Sequence, residues 1–268
     1  MPELPEVETT VRGLSKVLKG RRIQRVETRR ADLRRSFPDD LGQRLIGATV
    51  TGLARRAKYG LIHTDRDDTM VFHLGMSGSW RINRAEVETH DHLLLETDKG
   101  TRLALNDPRR FGSVDLVPTR ELADWPPFKA LGPEPLDLDA RELKRRLAGR
   151  SASIKLLLLD QSIVAGLGNI YVCEALFRAG IHPRRAGGSV SLARLKRLVP
   201  AIHDVLAEAI EVGGSSLKDF ASPDGELGYF SKRFEVYGRE GRPCRCGGAV
   251  KRIVQGGRST FYCPKCQR

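Results

Sequence analysis

Four cysteines near the end of the chain have the spacing of a metal site. The segment "CRCGGAVKRIVQGGRSTFYCPKC" carries two close pairs, Cys244 with Cys246 and Cys263 with Cys266. Four clustered thiols predict one structural zinc ion in a closed tetrahedral site. The second pair has the spacing with which one tight turn presents two sulfurs, whereas the first pair is one residue shorter and lacks the usual turn. A degenerate finger that has lost its metal is the alternative.

A second unusual stretch, "MPELPEVET", opens the chain. A helix start explains most of it, because Pro5 suits the first turn and Glu6 and Glu8 favour the positive end of the helix dipole. Pro2 has no such explanation, since it lies before the helix and becomes the first residue once Met1 is removed. The formation of a helix start therefore does not explain Pro2.

The segment "DQSIVAGLGNIY" has the features of an anion site. It places Gly166, Gly168 and Asn169 directly before an apolar helix, where backbone N–H groups and close approach favour a phosphate. A short helix carrying Lys155 precedes it, which strengthens this interpretation. An ordinary helix N-cap is the structural alternative.

Two turn segments carry side chains that suit a nucleic-acid base stack. Met76 lies in "HLGMSGS", and "NDPRRFG" presents Arg109, Arg110 and Phe111. Exposed methionine and aromatic side chains on loops can wedge between bases and fill the space of a displaced base. Taken singly, each of these residues could instead belong to the core.

The hydrophobic pattern indicates the elements that must position these residues. Apolar spacing predicts a helix over residues 7–18, followed by short alternating strands of an antiparallel sandwich or barrel. After the proline-rich linker "DWPPFKALGPEPLDLDA" the period becomes helical, and the cysteine tail follows. We therefore predict an α+β multidomain protein with domains at 1–130, 131–232 and 233–268.

The net charge and the positions of the cysteines indicate the kind of binding partner and the cellular compartment. Lys and Arg number 46 against 33 Asp and Glu, and the net charge of +13 favours a polyanionic partner, nucleic acid before an anionic membrane. No secretory signal or membrane-spanning run is visible, so we expect a cytosolic protein without disulfides. Cys173, in an apolar helical stretch, is expected to be a buried structural thiol.

Taken together, the motifs resemble those of the formamidopyrimidine-DNA glycosylase family. They are "MPELPEVET", Lys58 in "RRAKYGL", "HLGMSG", "NDPRRFG", "DQSIVAGLGNIY" and "GRSTFYCPKCQ", in the family's order and over the whole chain. The resemblance implies an N-terminal antiparallel β-sandwich with flanking helices, a helical helix–two-turn–helix domain and a zinc-finger β-hairpin. It also implies a cytoplasmic, nucleoid-associated monomer that binds double-stranded DNA containing oxidised bases or abasic sites.

The resemblance further implies roles for individual residues. Pro2 is similar to the family's N-terminal nucleophile, Glu3 to its catalytic acid–base, and Lys58 to a catalytic-site lysine that contacts DNA near the lesion. The segment "FASPDGELGYF" resembles the loop that folds over an extruded 8-oxoguanine. The implied DNA contacts are the void-filling trio Met76, Arg109 and Phe111, the phosphate-binding Lys155, Asn169 and Arg258, and His92.

The implied chemistry suits an N-terminal proline. An α-amino group with a pKa near 8 is about one-tenth neutral at pH 7, far more than a lysine amine, and only the neutral amine attacks. Its Schiff base with the opened sugar then promotes β- and δ-elimination. Glu3 can move protons at the sugar and leaving groups. We hypothesise that Glu6, buried at the helix start, orients the terminal amine.

Three other functions remain open at this point. A sister family of glycosylases excises oxidised pyrimidines and shares the architecture. A non-catalytic lesion- or DNA-binding protein would use the same basic surface but would not need the free amine of Pro2. A zinc-ribbon transcription factor would leave the N-terminus and the glycine-rich helix start unexplained.

Overall fold

The computed structural model describes residues 2–83, 86–215 and 228–268. Met1 and most of the predicted recognition loop, residues 220–227, lie outside the described residues. The chain forms two compact units: Met1–Lys129 with Val212–Ser231, and Ala130–Glu211 with Lys232–Arg268. The three-domain division at 130 and 232 stays a prediction.

The predicted helix is α1 (Leu4–Leu18), which begins with Pro5 in its first turn, ahead of the apolar spacing over residues 7–18. Glu3 is its N-cap residue and forms a capping box with Glu6, which satisfies backbone N–H groups that a helix start leaves open. Its buried face, with Val7 and Leu14 at most 1% exposed, packs into the core of the first unit. The cap therefore extends the helix to the residue next to Pro2 and Glu3.

Two four-stranded antiparallel sheets form most of the first unit, which confirms the predicted sandwich with flanking helices. Alternating strands supply the shared core, in which Phe72 and Trp80 pack edge to face with ring centroids 5.6 Å apart. In spatial order, the first sheet contains β1 (Ile23–Thr28), β6 (Asp91–Thr97), β7 (Arg102–Asn106) and β5 (Ser79–Ile82). The second sheet contains β2 (Val50–Arg56), β3 (Tyr59–Thr64), β4 (Asp68–His73) and β8 (Ser113–Pro118).

Short helices complete this unit. They are α2 (Leu41–Leu45), α3 (Pro126–Lys129) and two 3₁₀ turns, Thr119–Glu121 and Phe230–Arg233, of which the last spans the boundary between the units. The start of the predicted proline-rich linker is packed on the first unit, because Trp125 and Phe128 lie against Tyr59 with centroid distances of 5.9 and 5.4 Å. The boundary between the units nevertheless falls within the linker, after Lys129.

The second unit is helical and ends in a hairpin, as predicted. None of the helices in the described ranges is long and apolar enough to cross a bilayer. The two glycines of the hairpin turn, Gly256 and Gly257, have φ of 56° and 71°, values that only glycine adopts readily. The elements are α4 (Ala140–Leu147), α5 (Ile154–Leu159), α6 (Asn169–Arg178), α7 (Leu192–Glu211), β9 (Lys251–Gln255), β10 (Arg258–Tyr262), and 3₁₀ turns at Pro135–Asp137 and Gly187–Ser189.

Replacing Gly60 by alanine should destabilise the first unit. A Cβ at this position would overlap the Phe72 ring, which is completely buried and cannot move aside. We expect Gly60→Ala to lower the free energy of unfolding by about 1–3 kcal/mol, measured by denaturant titration. Gly52→Ala is the matched control, because a Cβ on this β2 glycine meets nothing within 4 Å. An equal loss in both variants would contradict the packing argument.

Candidate active site and nucleic-acid interface

The start of α1 holds Pro2 and Glu3 inside the protein. Pro2 is buried and Glu3 is 1% exposed. The backbone N–H of Glu3 donates to Glu6 Oε2 at 2.9 Å, so the residue that follows Pro2 is anchored to the first turn of the helix. This anchoring restricts the freedom that a chain end normally has.

Glu6 also joins α1 to a distant segment of the same unit. Its Oε1 accepts hydrogen bonds from the backbone N–H of Ser215 at 2.8 Å and from the Ser215 hydroxyl at 2.9 Å. Gly214, with φ of 81°, allows this approach, since a Cβ there would lie 3.0 Å from Glu6 Oε1. Sequence reasoning missed Ser215, which is separated from Glu6 by most of the chain. The amine-orienting role of Glu6 stays a prediction.

Lys58 lies in the two-residue turn between β2 and β3. Its neighbour Ala57 has φ of 52°, in the left-handed region that such hairpin turns require. Arg55 donates to the Ala57 carbonyl at 3.0 Å and pairs with Glu8 of α1 at 3.1 Å. One side chain therefore fastens the Lys58 turn to the helix that begins behind Pro2.

Met76 lies on a tight loop that leaves β4 after His73. The backbone N–H of Gly75 donates to His73 Nδ1 at 3.0 Å, and Gly78 N–H donates to the Leu74 carbonyl at 2.8 Å. Burial lowers the pKa of His73 to about 4, and the nearby Lys58 charge adds to this effect. The imidazole is therefore neutral at pH 7 and can accept the Gly75 bond.

Arg109 and Phe111 lie on the second loop, which connects β7 to β8. Both are exposed, and the Arg109 guanidinium lies over the Phe111 ring at 4.9 Å from its centroid. Arg110 between them has φ of 57°, which turns the chain so that its two neighbours can approach each other. An aromatic ring that is 43% exposed and stacked under a cation is available to a nucleic acid rather than to the core.

Asp107 links the two loops, and sequence reasoning did not single it out. Its completely buried carboxylate accepts from Ser77 Oγ at 2.6 Å and from Gly112 N–H at 2.8 Å. His92, predicted to contact DNA, is buried here, and its Nε2 bonds the Asp107 carbonyl at 3.0 Å. The signal in the sequence was the aspartate before Pro108, a turn-forming pair inside "NDPRRFG".

The predicted phosphate-binding residues of the second unit form a separate group. Asn169 begins α6, and its Nδ2 donates to the Ser259 carbonyl of β10 at 2.8 Å. This bond places the helix start beside Arg258, which is exposed at the first position of the same strand. Lys155 is completely buried on α5.

Gln161 shapes the glycine turn in front of α6. Its Oε1 accepts from Gly166 N–H at 2.9 Å, and its Nε2 donates to the carbonyls of Leu159 and Leu167 at 2.9 and 3.0 Å. Gly166 has φ of 88°, a conformation that a side chain would strain. One amide therefore replaces the regular hydrogen bonds that this turn lacks.

The four tail cysteines come together as a metal site. Their sulfurs lie within 4.8 Å of one another, with Cys244 to Cys266 at 3.7 Å and Cys246 to Cys263 at 3.4 Å. Tetrahedral zinc with Zn–S bonds of about 2.3 Å needs sulfurs about 3.8 Å apart, so the donor set fits zinc. Hydrogen bonding to the Gly248 backbone lowers the pKa of the Cys246 thiol to about 6, whereas burial raises the pKa of the Cys266 thiol to about 12, so the spacing of the sulfurs supports the zinc assignment.

The expectation that the first cysteine pair lacks the usual turn was wrong. Gly247 N–H donates to the Cys244 carbonyl at 2.9 Å, and Cys244 N–H donates to the Gly248 carbonyl at 2.7 Å. Gly247 has φ of 75°, so the two glycines after Cys246 close the turn that the shorter spacing seemed to omit.

A small apolar cluster supports the cysteine site. Cys173 is 1% exposed and packs with Phe177, Val236 and Val250, as expected of a structural thiol. The neighbouring Glu174 is completely buried and accepts from the backbone N–H groups of residues 235, 236 and 237 at 2.8 to 3.0 Å. Burial raises the pKa of this carboxyl, and the three bonds oppose that rise.

Comparison with known proteins identifies the family. Three family models match: the formamidopyrimidine-DNA glycosylase N-terminal domain at residues 1–114, its H2TH domain at 131–221, and the zinc finger found in FPG and IleRS at 243–268. Together with the four cysteines, the last of these indicates one structural zinc.

Curated relatives and solved structures agree with this result. Formamidopyrimidine-DNA glycosylases of Novosphingobium aromaticivorans and Rhizorhabdus wittichii are 69% and 68% identical over the full length of both chains. Lactococcus lactis Fpg in complexes with Fapy-dG containing DNA and with abasic-site DNA matches at a TM-score of 0.93 and 35% identity, again over both whole chains. The chain belongs to the formamidopyrimidine-DNA glycosylase family.

Proposed function

We propose that the protein is a bifunctional DNA glycosylase of base excision repair that excises oxidised purines, 8-oxoguanine and formamidopyrimidines, and then cuts the strand at the abasic site. The observation that carries this proposal is the buried, capped start of α1, which holds Pro2 and Glu3 in place. The names of the relatives and the DNA bound to the L. lactis protein support the substrate class.

Pro2 is the proposed nucleophile, exposed when Met1 is removed. Its secondary amine attacks C1′ of the damaged nucleotide, and the base leaves as the glycosidic bond breaks. The C1′–O4′ bond then opens, O4′ takes a proton, and a cationic Schiff base remains between Pro2 and the opened sugar. That cation withdraws electrons, so the C2′ proton can leave and the 3′-phosphate is eliminated, followed by the 5′-phosphate. The pyrrolidine ring joins the amine nitrogen to Cα through the side chain and so limits the motion of the attacking group.

Glu3 and Lys58 assist this chemistry in the proposal. Glu3 moves protons at the sugar ring oxygen and the leaving groups, and its own backbone is fixed by Glu6. Lys58 contacts the DNA backbone beside the lesion from the β2–β3 turn, which Arg55 ties to α1. Contacts with α1 therefore hold both residues: Glu3 is its N-cap, and the turn that carries Lys58 is bound to it through Arg55.

Flipping the damaged nucleotide opens a gap in the duplex, at a cost of a few kcal/mol. We assign the filling of that gap to Met76, Arg109 and Phe111, with Arg109 facing the estranged cytosine and Phe111 wedging the stack. Their placement on two adjoining loops and the exposure of Phe111 support this assignment. His92 acts as a further DNA contact in this proposal.

The second unit supplies phosphate contacts in the same proposal. Lys155, Asn169 and Arg258 bind the DNA backbone, with the start of α6 adding its positive dipole. The zinc site holds the hairpin that presents Arg258. The net charge of +13 supports action on chromosomal DNA, and we propose that the protein works as a monomer at the nucleoid in the cytoplasm.

Borohydride trapping tests the catalytic assignment. We expect the wild-type protein to form a covalent adduct with duplex containing 8-oxoguanine opposite cytosine. Pro2→Gly, or a residue added ahead of Pro2, should lower the trapping rate at least about tenfold because it replaces or blocks the secondary amine. A folded wild-type protein that forms no adduct would refute the enzyme assignment in favour of a DNA-binding protein. Faster single-turnover excision of thymine glycol would instead favour the pyrimidine-directed family.

The phosphate contact of Arg258 is testable by the salt dependence of binding. Arg258→Ala should reduce the slope of log K against log salt by about 0.9, the value for one lost contact with duplex DNA. Arg141→Ala, an exposed arginine on α4, removes the same charge and serves as the control. An equal reduction in both variants would show that net charge alone, and not a contact, determines the slope.

Metal removal tests the role of the zinc. We expect about one zinc per chain by elemental analysis, and its loss in Cys263→Ser should abolish specific binding of lesion duplex, because the hairpin loses its closed end. Cys173→Ala should keep the metal, since this thiol lies outside the four-cysteine cluster. Full DNA affinity in a zinc-free protein would contradict the proposed role.

A further inference from the structure

We propose that Asp107 and Ser77 are positioning residues that lock the two DNA-penetrating loops together, so that Met76, Arg109 and Phe111 enter the duplex as one preorganised unit. This inference rests on the gap-filling role proposed above. It adds a residue pair that does not itself touch the substrate but determines how its neighbours do.

The contacts that carry the proposal form a continuous chain between the loops. Ser77, the residue after Met76, donates its hydroxyl to Asp107 Oδ1 at 2.6 Å and accepts the backbone N–H of Arg109 at 3.1 Å. The other carboxylate oxygen, Oδ2, accepts the N–H of Gly112, the residue after Phe111, at 2.8 Å. Arg109 therefore takes part in this network through its backbone N–H, and Met76 and Phe111 each directly precede a residue that takes part.

The network is buried, so water does not compete for its bonds. Asp107 is completely buried and Ser77 is 5% exposed. A carboxylate at such a position is strongly disfavoured unless donors surround it, and here the donors come from both loops. Separating the loops would leave an unsatisfied buried charge, which makes the joined arrangement the stable one.

The main chain of Asp107 anchors this assembly to the sheet. Its N–H donates to the His90 carbonyl at 2.9 Å, and its carbonyl accepts from Arg110 N–H at 3.1 Å. His92 Nε2 bonds the same carbonyl at 3.0 Å. The loops are therefore fixed to the start of β6 as well as to each other.

Close contacts between backbone atoms further restrict the motion of the two loops relative to each other. Gly75, with φ of 63°, packs so closely that a Cβ there would overlap the backbone of Phe111. A Cβ on Gly112 would lie 2.8 Å from the His73 carbonyl and 3.0 Å from Asp107 Oδ2. The two loops touch through backbone atoms, and neither can shift without displacing the other.

Such a lock should matter for opening the duplex and not for the bond-breaking chemistry. Loops that move independently would become ordered only when they enter the base stack, and that ordering costs conformational entropy during binding. Loops that are already joined in the free protein avoid this cost. The Pro2 amine and Glu3 belong to a different element, α1. Loss of the lock should therefore slow excision from duplex DNA and spare reaction with a sugar that needs no flipping.

Two substrates separate these steps. We compare single-turnover excision of 8-oxoguanine opposite cytosine in duplex DNA with borohydride trapping on a single-stranded oligonucleotide that contains an abasic site. For Ser77→Ala and Asp107→Asn we expect the duplex rate to fall about tenfold and the single-strand trapping rate to stay within about twofold of the wild type. The double variant should lose little more than Asp107→Asn alone, because both changes break one network.

Asp68→Asn is the matched control. Asp68 is a buried carboxylate of the same unit, paired with Arg44, and it lies at the far end of β4 from the loops. We expect this variant to lower Tm while the ratio of the two rates stays at the wild-type value. Thermal melts of all variants confirm that the proteins compared are folded.

The outcomes are distinct. If folded Ser77→Ala and Asp107→Asn keep the wild-type ratio of duplex excision to single-strand trapping, the proposed lock is wrong. An equal loss on both substrates would also contradict it, because such a loss indicates a general structural role. A wild-type protein that traps neither substrate would refute the proposed function itself. A selective duplex defect in both variants, absent from Asp68→Asn, supports the proposal.

Discussion

The hydrogen bonds of the Glu6 carboxylate are the interactions on which the proposed active site depends. A chain terminus is ordinarily the most mobile part of a protein, and a nucleophile placed there is useful only if it is held. One oxygen of Glu6 accepts the N–H of Glu3, and the other accepts two donors from Ser215. The helix start and the segment that contains Ser215 are thereby joined, and the residue that follows Pro2 is held at this junction.

The same arrangement is found at two other places among the described residues. Asp107 and Glu174 are also completely buried carboxylates that accept backbone N–H groups from irregular segments. A loop cannot satisfy its N–H groups through a helix or a sheet, so an acceptor from another segment must replace the missing bonds. Each carboxylate thus fixes an irregular segment: Glu6 the chain terminus, Asp107 the two loops that carry Met76 and Phe111, and Glu174 the approach to the hairpin.

The hairpin of the second unit shows why a metal is needed there. The described tail has only a small apolar cluster around Cys173, Phe177 and Val250, and such a cluster is too small to order two strands by itself. Four thiolates on one zinc replace the missing core, and the bond from Asn169 to Ser259 joins the strands to α6. The position of Arg258 then follows from the hairpin register and from the hydrogen bond that its neighbour Ser259 accepts.

Local sequence patterns determined much of this protein. The apolar spacing of α1, the alternating strands, the glycines before α6 and the cysteine pairs each report a short-range preference, and the order of the motifs indicated the family. The apolar spacing marks α1 only from Val7, whereas Pro5 and the acidic residues beside it indicated the helix start that the capping box of Glu3 and Glu6 fixes at Leu4. The turn at Cys244 was missed because its closing glycines follow the pair instead of separating it.

Only the tertiary structure decided which distant residues meet. Nothing in the residues around Ser215 indicates a bond to Glu6, and nothing around Ser77 indicates a bond to Asp107. The domain boundaries and the roles of the site residues stay predictions. A periodic pattern shows which face of an element is buried, but a hydrogen bond between two loops depends on where the strands beneath them end, and that is set by the register of the whole sheet.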